Sequence, residues 1–207
     1  MVNLIYGGSM EQIENKLETN EYMVTYSNRM ALANDYNMQV VEVEHKSKNV
    51  NPIKINKTPT FKIKNVGDIP IKTVAIFLRL KDSFVGFVSS NIYKDNTASL
   101  IMSGINYIPL PPDLDTLRNY LLYEKKQDVA LYVDEKYQGQ GNGKKLIFII
   151  LRYLSSLGIT NVKVSGITDE RALKTYTSTG AIEIGNKTAI YENIKQIVEV
   201  NEHDKKL

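Results

Sequence analysis

The run Tyr137-Gln138-Gly139-Gln140-Gly141-Asn142-Gly143-Lys144-Lys145 stands between an apolar strand pattern and a long apolar helix pattern, and its residue types could do chemistry. Each of the alternating glycines removes a side chain where backbone must turn tightly or approach a ligand. Amides that open a helix carry partial positive charge, so the loop suits an anionic phosphate, with a pyrophosphate as its natural guest. Glycine-rich loops also serve simply as turns, and the neighbouring residues must decide between the two readings. The Walker pattern fails, because position 138 is Gln and Lys144 is followed by Lys145, with no hydroxyl to hold magnesium. The dinucleotide fingerprint fails too: the spacing is Gly-x-Gly-x-Gly, and no acidic strand end follows at the expected distance. Lys144 and Lys145 oppose the helix dipole, a conflict that a bound anion relieves, although paired lysines are often a solvated face.

Composition narrows the chemistry further. A chain of 207 residues, 43% hydrophobic and 24% charged, can bury one sizeable core with a small appended segment. With no cysteine, disulfides, thiolate metal sites, iron–sulfur clusters and cysteine nucleophiles are excluded. His45 and His203 are the only imidazoles, which disfavours a multi-histidine metal centre and a Ser-His pair. No metal is expected, and His45 reads as a surface strand residue. A net charge of +3, from 26 basic and 23 acidic residues, makes no large positive field, so nucleic acid is permitted as a partner but not indicated. The start MVNLIYGGSMEQIENKLE has neither the basic-then-apolar order of a signal peptide nor the length of a membrane span. A soluble, cytoplasmic protein with no membrane partner is the expectation.

The elements that must position the loop are legible to different degrees. Asp128 to Val133 reads as a short strand, Gly143 to Leu157 as a helix, Asn161 to Ser165 as a strand, Asp169 to Ser178 as a helix, and two strands close the chain. That order is α/β. The run Leu146 to Leu151, continued by Leu154 and Leu157, is assigned to core, since a helix under a sheet needs a broad apolar face. Upstream, Ile71 to Leu80, Phe84 to Ser90 and Ala98 to Ile105 are β-rich runs parted by Lys81-Asp82-Ser83 and Lys94-Asp95-Asn96, the pattern of an antiparallel meander. Pro109, Pro111 and Pro112 then break the chain, and Asp113 can cap an inserted helix near 113–124 with Leu114, Leu117, Leu121 and Leu122 as its stripe. In the first third, the capping-box form of Ser9 to Gln12 predicts a helix near 9–19, Asn28 to Tyr36 a second, and Met38 to His45 and Thr60 to Lys64 strands. Residues 1–68 are expected to be an N-terminal part of the same domain or a small extension, 69–200 the core, and 201–207 a flexible tail.

LYVDEKYQGQGNGKKLIFIIL resembles the acyl-CoA signature of the GNAT superfamily of N-acyltransferases: an apolar strand, then Arg/Gln-x-x-Gly-x-Gly/Ala, here Gln138, Gly141 and Gly143. Asp169-x-x-Ala172-x-x-x-Tyr176-x-x-x-Gly180 resembles the family's Asn-x-x-Ala-x-x-x-Tyr-x-x-x-Gly-Phe helix. The departures are Gln138 for the commoner Arg, Asp169 for Asn and Ala181 for Phe. The resemblance, which covers roughly 72–194 by strand order, implies an α/β fold with a mostly antiparallel, splayed central sheet flanked by helices. It also implies acetyl-CoA as co-substrate. Backbone amides of Gln138, Gly139, Gln140, Gly141, Asn142, Gly143 and Lys144 would cradle the pyrophosphate, the main chain of Leu131 and Val133 would pair with the pantetheine arm like an added strand, and Asp169 would lie beside the cofactor.

In the mechanism so implied, a neutral amine attacks the thioester, a backbone amide near Val133 holds the oxyanion, and Tyr176 protonates the departing thiolate. A phenol near its reference pKa of about 10 is close enough to a CoA thiol for that transfer. Against this stands the plainer reading that Tyr176, one of 13 tyrosines, packs a helix. No general base is identifiable, and Asp134 and Glu135, close in sequence, read as solvated turn residues. The amine acceptor is unknown, its pocket falling to residues 9–60 and 103–127. Two further functions compete: a GNAT-like binding or structural module with lost or altered catalysis, and a nucleic-acid-modifying transferase of the same fold with a basic groove. A homodimer is compatible with the sequence without being indicated by it.

Overall fold

The computed structural model describes residues 13–18, 22–27, 29–46, 70–100 and 130–203. Its centre is the hairpin of β5 (Lys72–Leu80) and β6 (Ser83–Ile92), joined by a turn in which Lys81 takes a positive φ of 54°. Val74, Ile76 and Leu78 point to one face of β5 and Ala75 and Phe77 to the other, and all are fully buried. A strand buried on both faces reads in sequence as the unbroken apolar run VAIFL. On one side β4 (Tyr36–His45) pairs with β5 over nine antiparallel rungs, followed by β2 (Tyr22–Ser27) and β1 (Ile13–Glu18), with the two-residue β3 (Met30–Ala31) folded back on β4. On the other side β6 carries β7 (Thr97–Leu100) and β8 (Leu131–Val133). β9 (Asn161–Ser165) runs parallel to β7, and β11 (Thr188–Tyr191) and β10 (Ile182–Gly185) finish the sheet. The result is a mixed α/β fold whose large sheet is antiparallel except at β7 and β9.

Three helices, α1 (Asn142–Ser156), α2 (Glu170–Thr177) and α3 (Ile194–His203), supply residues to the larger apolar cluster. Leu146, Ile147, Ile150, Leu151 and Leu154 recur at helical spacing on α1, are fully buried, and join Val74, Ile76, Leu78, Val85 and Val88 of the sheet. The opposite face holds a second cluster of Val24, Val41, Val43, Ala75, Phe77, Phe87 and Tyr132. No described helix is long and apolar enough to cross a membrane.

The first two meander strands, the third as far as Leu100, the strand at 161–165 and both helices after β8 lie where the sequence places them, and the rest of the run Ala98 to Ile105 lies outside the described residues. The first third does not follow the sequence reading. Residues 13–18, expected within a helix, form β1, and residues 30–36, also expected to be helical, form β3, a turn and the start of β4. That turn is a two-residue loop, Asn34-Asp35, with φ values of 59° and 61° and a bond from the Tyr36 amide to the Ala33 carbonyl. Two consecutive left-handed residues favour a tight hairpin and exclude a helix. The sequence reading also omits α3, which runs to His203, although Ile194, Ile197 and Val198 share its packed side. The strand expected at 60–64 and the inserted helix near 113–124 lie outside the described residues.

His45 is half-buried, not a surface residue, with Nε2 3.0 Å from Thr73 Oγ1. Thr73 donates its own hydroxyl hydrogen to Asn91 Oδ1 at 2.8 Å, so the imidazole must be the donor to Thr73 and carries its hydrogen on Nε2 when neutral. Burial lowers its pKa from 6.5. A basic group so lowered contributes stability that is complete above the unfolded value of 6.5 and is lost as pH falls from there toward the folded value. The urea midpoint of the wild-type chain is expected to drop between about pH 7.5 and about pH 5.5, and His45→Gln, which keeps a donor, is expected to flatten that drop. Equal slopes for both chains would overturn the assignment.

Candidate active site

β8 is held on one edge by β6. It pairs antiparallel with β6 through Gly86↔Val133, Phe87↔Tyr132 and Val88↔Leu131, and among the described residues no strand lies along its other edge. β7 uses the same edge of β6 a few rungs away, at Asn91↔Ser99 and Ile92↔Ala98. Extending that register would set Leu100 opposite Ser90, and the Ser89 amide donates to the Ala130 carbonyl at 2.8 Å, so β8 resumes the line that β7 leaves. β9 follows β7 as far as Leu100↔Val164. Beyond Ser165, Gly166 takes a φ of 73° and the Ile167 amide donates to the Lys187 carbonyl, which turns that chain toward the closing hairpin and away from β8. Among the described residues the pairing therefore leaves a gap between β8 and the end of β9.

The ladder fixes what β8 shows to that gap. Hydrogen-bonded rungs fall at Ser89 with Ala130 and at Val85 with Asp134, whose amide donates at 2.9 Å. Antiparallel rungs alternate, so Tyr132 directs its peptide groups at β6, while Leu131 and Val133 direct theirs into the gap. The Val133 carbonyl is already engaged by Gln138 Nε2 at 3.0 Å, leaving both peptide groups of Leu131 and the amide of Val133 facing outward. Three features seat the strand. Tyr132 stacks on Phe84 and contacts Phe87, with centroids 6.2 and 6.0 Å apart. Leu131 and Val133 pack on the larger cluster. Gly86 lies so close beneath β8 that a Cβ there would enter the Tyr132 carbonyl oxygen and stand 3.1 Å from both Leu146 Cδ1 and Val133 Cα.

The loop follows at once. Asp134 Oδ1 accepts from the Lys136 amide at 3.1 Å and caps the single turn Glu135–Tyr137, so Asp134 and Glu135 are turn residues as the sequence suggests. Gly139 and Gly141 have φ values of 72° and 78°, and a Cβ at either would meet nothing within 4 Å. Among the described residues no side chain plugs the turn at these two positions. Gly141 is the N-cap of α1 and gives no side-chain cap, the first intrahelical bond is Lys145 N–H to the Gly141 carbonyl at 3.0 Å, and no acidic residue stands in the first turn. The amides of Asn142, Gly143 and Lys144 thus lack helical acceptors at the positive end of a 15-residue helix.

α2 closes the far side. A Cβ on Gly143 would meet Thr175 Cγ2 at 3.3 Å and Val133 Cγ2 at 3.9 Å, so β8, α1 and α2 converge at this residue. Tyr176, next along α2, is 5% exposed and sits in the larger cluster, and burial pushes its phenol pKa well above the ordinary 10. Its carbonyl lies 3.2 Å from the hydroxyl of Tyr191, which lies 2.7 Å from Thr179 Oγ1, tying α2 to β11.

A family model described as the acetyltransferase (GNAT) family matches residues 65–181. The chain belongs to the GNAT family. No curated protein matches it. Among solved structures it is similar to a GNAT acetyltransferase from Staphylococcus aureus Mu50, at 13% identity and a TM-score of 0.39, covering 58% of this chain and 67% of that one. It is also similar to Ard1 from Thermoplasma volcanium (17% identity, 57% and 69% covered, TM-score 0.39). A third likeness is the PaiA N-acetyltransferase from Thermoplasma acidophilum in complex with coenzyme A (13% identity, 56% and 57% covered, TM-score 0.37).

In this GNAT chain the residues chosen from sequence meet unequally. Leu131, Val133, Gln138, Gly139, Gln140, Gly141, Gly143 and Lys144 line β8 and the loop, with the Gln140 side chain folded onto the Lys136 carbonyl at 3.1 Å. Three have partners of their own within the protein. Asn142 is 1% exposed and its side chain is a buried brace, so only its amide can face a ligand. Asp169 caps α2: Oδ1 accepts from the Arg171 amide at 2.8 Å and Oδ2 lies 3.6 Å from the Arg171 guanidinium, so both oxygens are engaged in the helix's own first turn. Lys145, a suggested phosphate partner, holds Nζ 3.3 Å from the centroid of the Tyr36 ring. Sequence reasoning missed Gly86, Thr175 and Tyr36, and only the Asn34-Asp35 turn pair could have pointed to the last. Gly86→Ala is expected to cost toward the upper end of roughly 1–3 kcal/mol in a urea titration, because backbone must move. Gly139→Ala, with open space for its methyl, should cost only its left-handed backbone, about 1 kcal/mol. The reverse ranking would mean that β8 is not held this close to β6.

Proposed function

We propose that this chain binds acetyl-CoA in the gap beside β8 and transfers the acetyl group to an amine, by direct attack of the neutral amine on the thioester. The observation that carries the reading is the strand paired on one edge: outward peptide groups of Leu131 and the outward amide of Val133, ending in an uncapped helix start whose glycines leave room for a diphosphate. Extended amides of a pantetheine arm can add to such an edge as another strand would. The open turn at Gly139 and Gly141 fits the diphosphate, with the amides of Gly141 to Lys144 as donors and Lys144 as the nearby cation. The outward Val133 amide is the donor available to negative charge building on the acyl oxygen.

Tyr176 is the candidate proton donor, with one change from the sequence expectation. Its buried phenol is a weaker acid than a free one, so it acts first as an O–H hydrogen-bond donor to sulfur as negative charge develops. It rests protonated throughout the working range; as the C–S bond breaks the thiolate takes its proton from this phenol, which regains one from solvent, and the proton shed by the attacking nitrogen passes to solvent. The acceptor must lose its proton before attack, so kcat/KM is expected to rise with pH toward the acceptor's own pKa, with no alkaline fall near 10 from this phenol.

Calorimetric titration with acetyl-CoA tests the reading first: saturable binding is expected, and its absence in a folded sample at millimolar ligand would end it. An amine panel follows. Tyr176→Phe is expected to lower kcat by roughly 10²–10⁴-fold with little change in KM for acetyl-CoA. Binding without turnover of any amine, unchanged by that substitution, would support a binding module instead.

A further inference from the structure

We propose that Tyr36 is a positioning residue for the diphosphate loop, which makes the N-terminal hairpin a working part of the acyl-CoA site. The inference rests on the acyl-CoA reading above. Asn142 stands between Gly141 and Gly143, and both ends of its buried carboxamide are used: Nδ2 donates to the Tyr137 carbonyl at 2.9 Å, and Oδ1 accepts from the Tyr36 hydroxyl at 3.0 Å. Tyr137 is the last residue before the glycine-rich turn, and Asn142 the first of α1. One side chain therefore spans the mouth of the loop, and the Tyr36 hydroxyl fixes that side chain from outside.

Between those two points run residues 138–141, all exposed, two of them left-handed glycines. A segment so rich in backbone freedom does not hold its amides in a donor array by itself. Gln138 and Gln140 tether it from within through the Val133 and Lys136 carbonyls, both before the turn, and the bond across its two ends is left to Asn142. Lys145 adds a second contact in the same place, its ammonium over the Tyr36 ring, so hydroxyl and ring of one tyrosine grip the first turn of α1 at two successive points. Tyr36 is itself held firmly. It begins β4, pairs with Leu80 of β5, closes the Asn34-Asp35 turn through its amide, and accepts at its carbonyl from the Leu32 amide at 2.7 Å.

Tyr36→Phe deletes the hydroxyl and keeps the ring under Lys145. It is expected to weaken CoA binding about tenfold by calorimetry, the effect of one lost buried hydrogen bond, to raise KM for acetyl-CoA alike, and to leave kcat within about twofold. Acetyl-pantetheine, which lacks the diphosphate, should show no change in KM. Equal losses for both donors would mean general loosening and would overturn the proposal, as would unchanged CoA affinity in the variant. Asn142→Ala supplies a second arm: it should cause the same selective loss, and adding Tyr36→Phe to it should cost nothing more, whereas additive losses would show that Tyr36 does not act through Asn142. If the wild-type chain binds no CoA, the acyl-CoA reading itself has failed, an outcome distinct from all of these.

Discussion

A strand paired on one edge and, among the described residues, unpaired on the other is the condition on which the site depends. β8 offers few rungs to β6, too few to hold a strand in water without side-chain packing. Tyr132 fastens one face among Phe84 and Phe87, and Leu131 and Val133 fasten the other over α1. Gly86 lets the backbones approach closely enough for both faces to engage. Packing at right angles to the sheet thus substitutes for the missing neighbour, and peptide groups that a second strand would consume stay outward.

The same economy recurs at the loop. Its side chains turn back on the protein, Gln138 to Val133, Gln140 to Lys136 and Asn142 to Tyr137, which leaves backbone as the surface presented outward. Glycine at 139 and 141 makes that surface bare, and the dipole of α1 gives it its sign. Charge is subsidiary: of the two lysines that open the helix, Lys145 is drawn onto an aromatic ring and Lys144 remains exposed.

What could be read from sequence divides along physical lines. β5, β9, α1 and α2 announce themselves because burial on two faces gives unbroken apolar runs and burial on one gives a period, both local properties. The glycine spacing is local too, and so is the turn chemistry at Lys81-Asp82. The failures are of another kind. Residues 13–18 carry a helical period that pairing with β2 overrides, and the helix expected over 28–36 gives way to the left-handed backbone of Asn34-Asp35, which decides the fold there. Asp169, at a motif position, also caps α2, a role that its type at a helix start announces. Gly86, Thr175 and Tyr36 matter through contacts with residues distant in the chain, which no window of sequence contains.

The alternation along β8 has one more consequence. Three consecutive peptide N–H groups stand in two environments: that of Tyr132 is locked inside the sheet, and those of Leu131 and Val133 look into the gap. Deuterium uptake would separate them within a single strand, the middle amide serving as an internal clock for unfolding while its neighbours register whatever comes to lie against the edge.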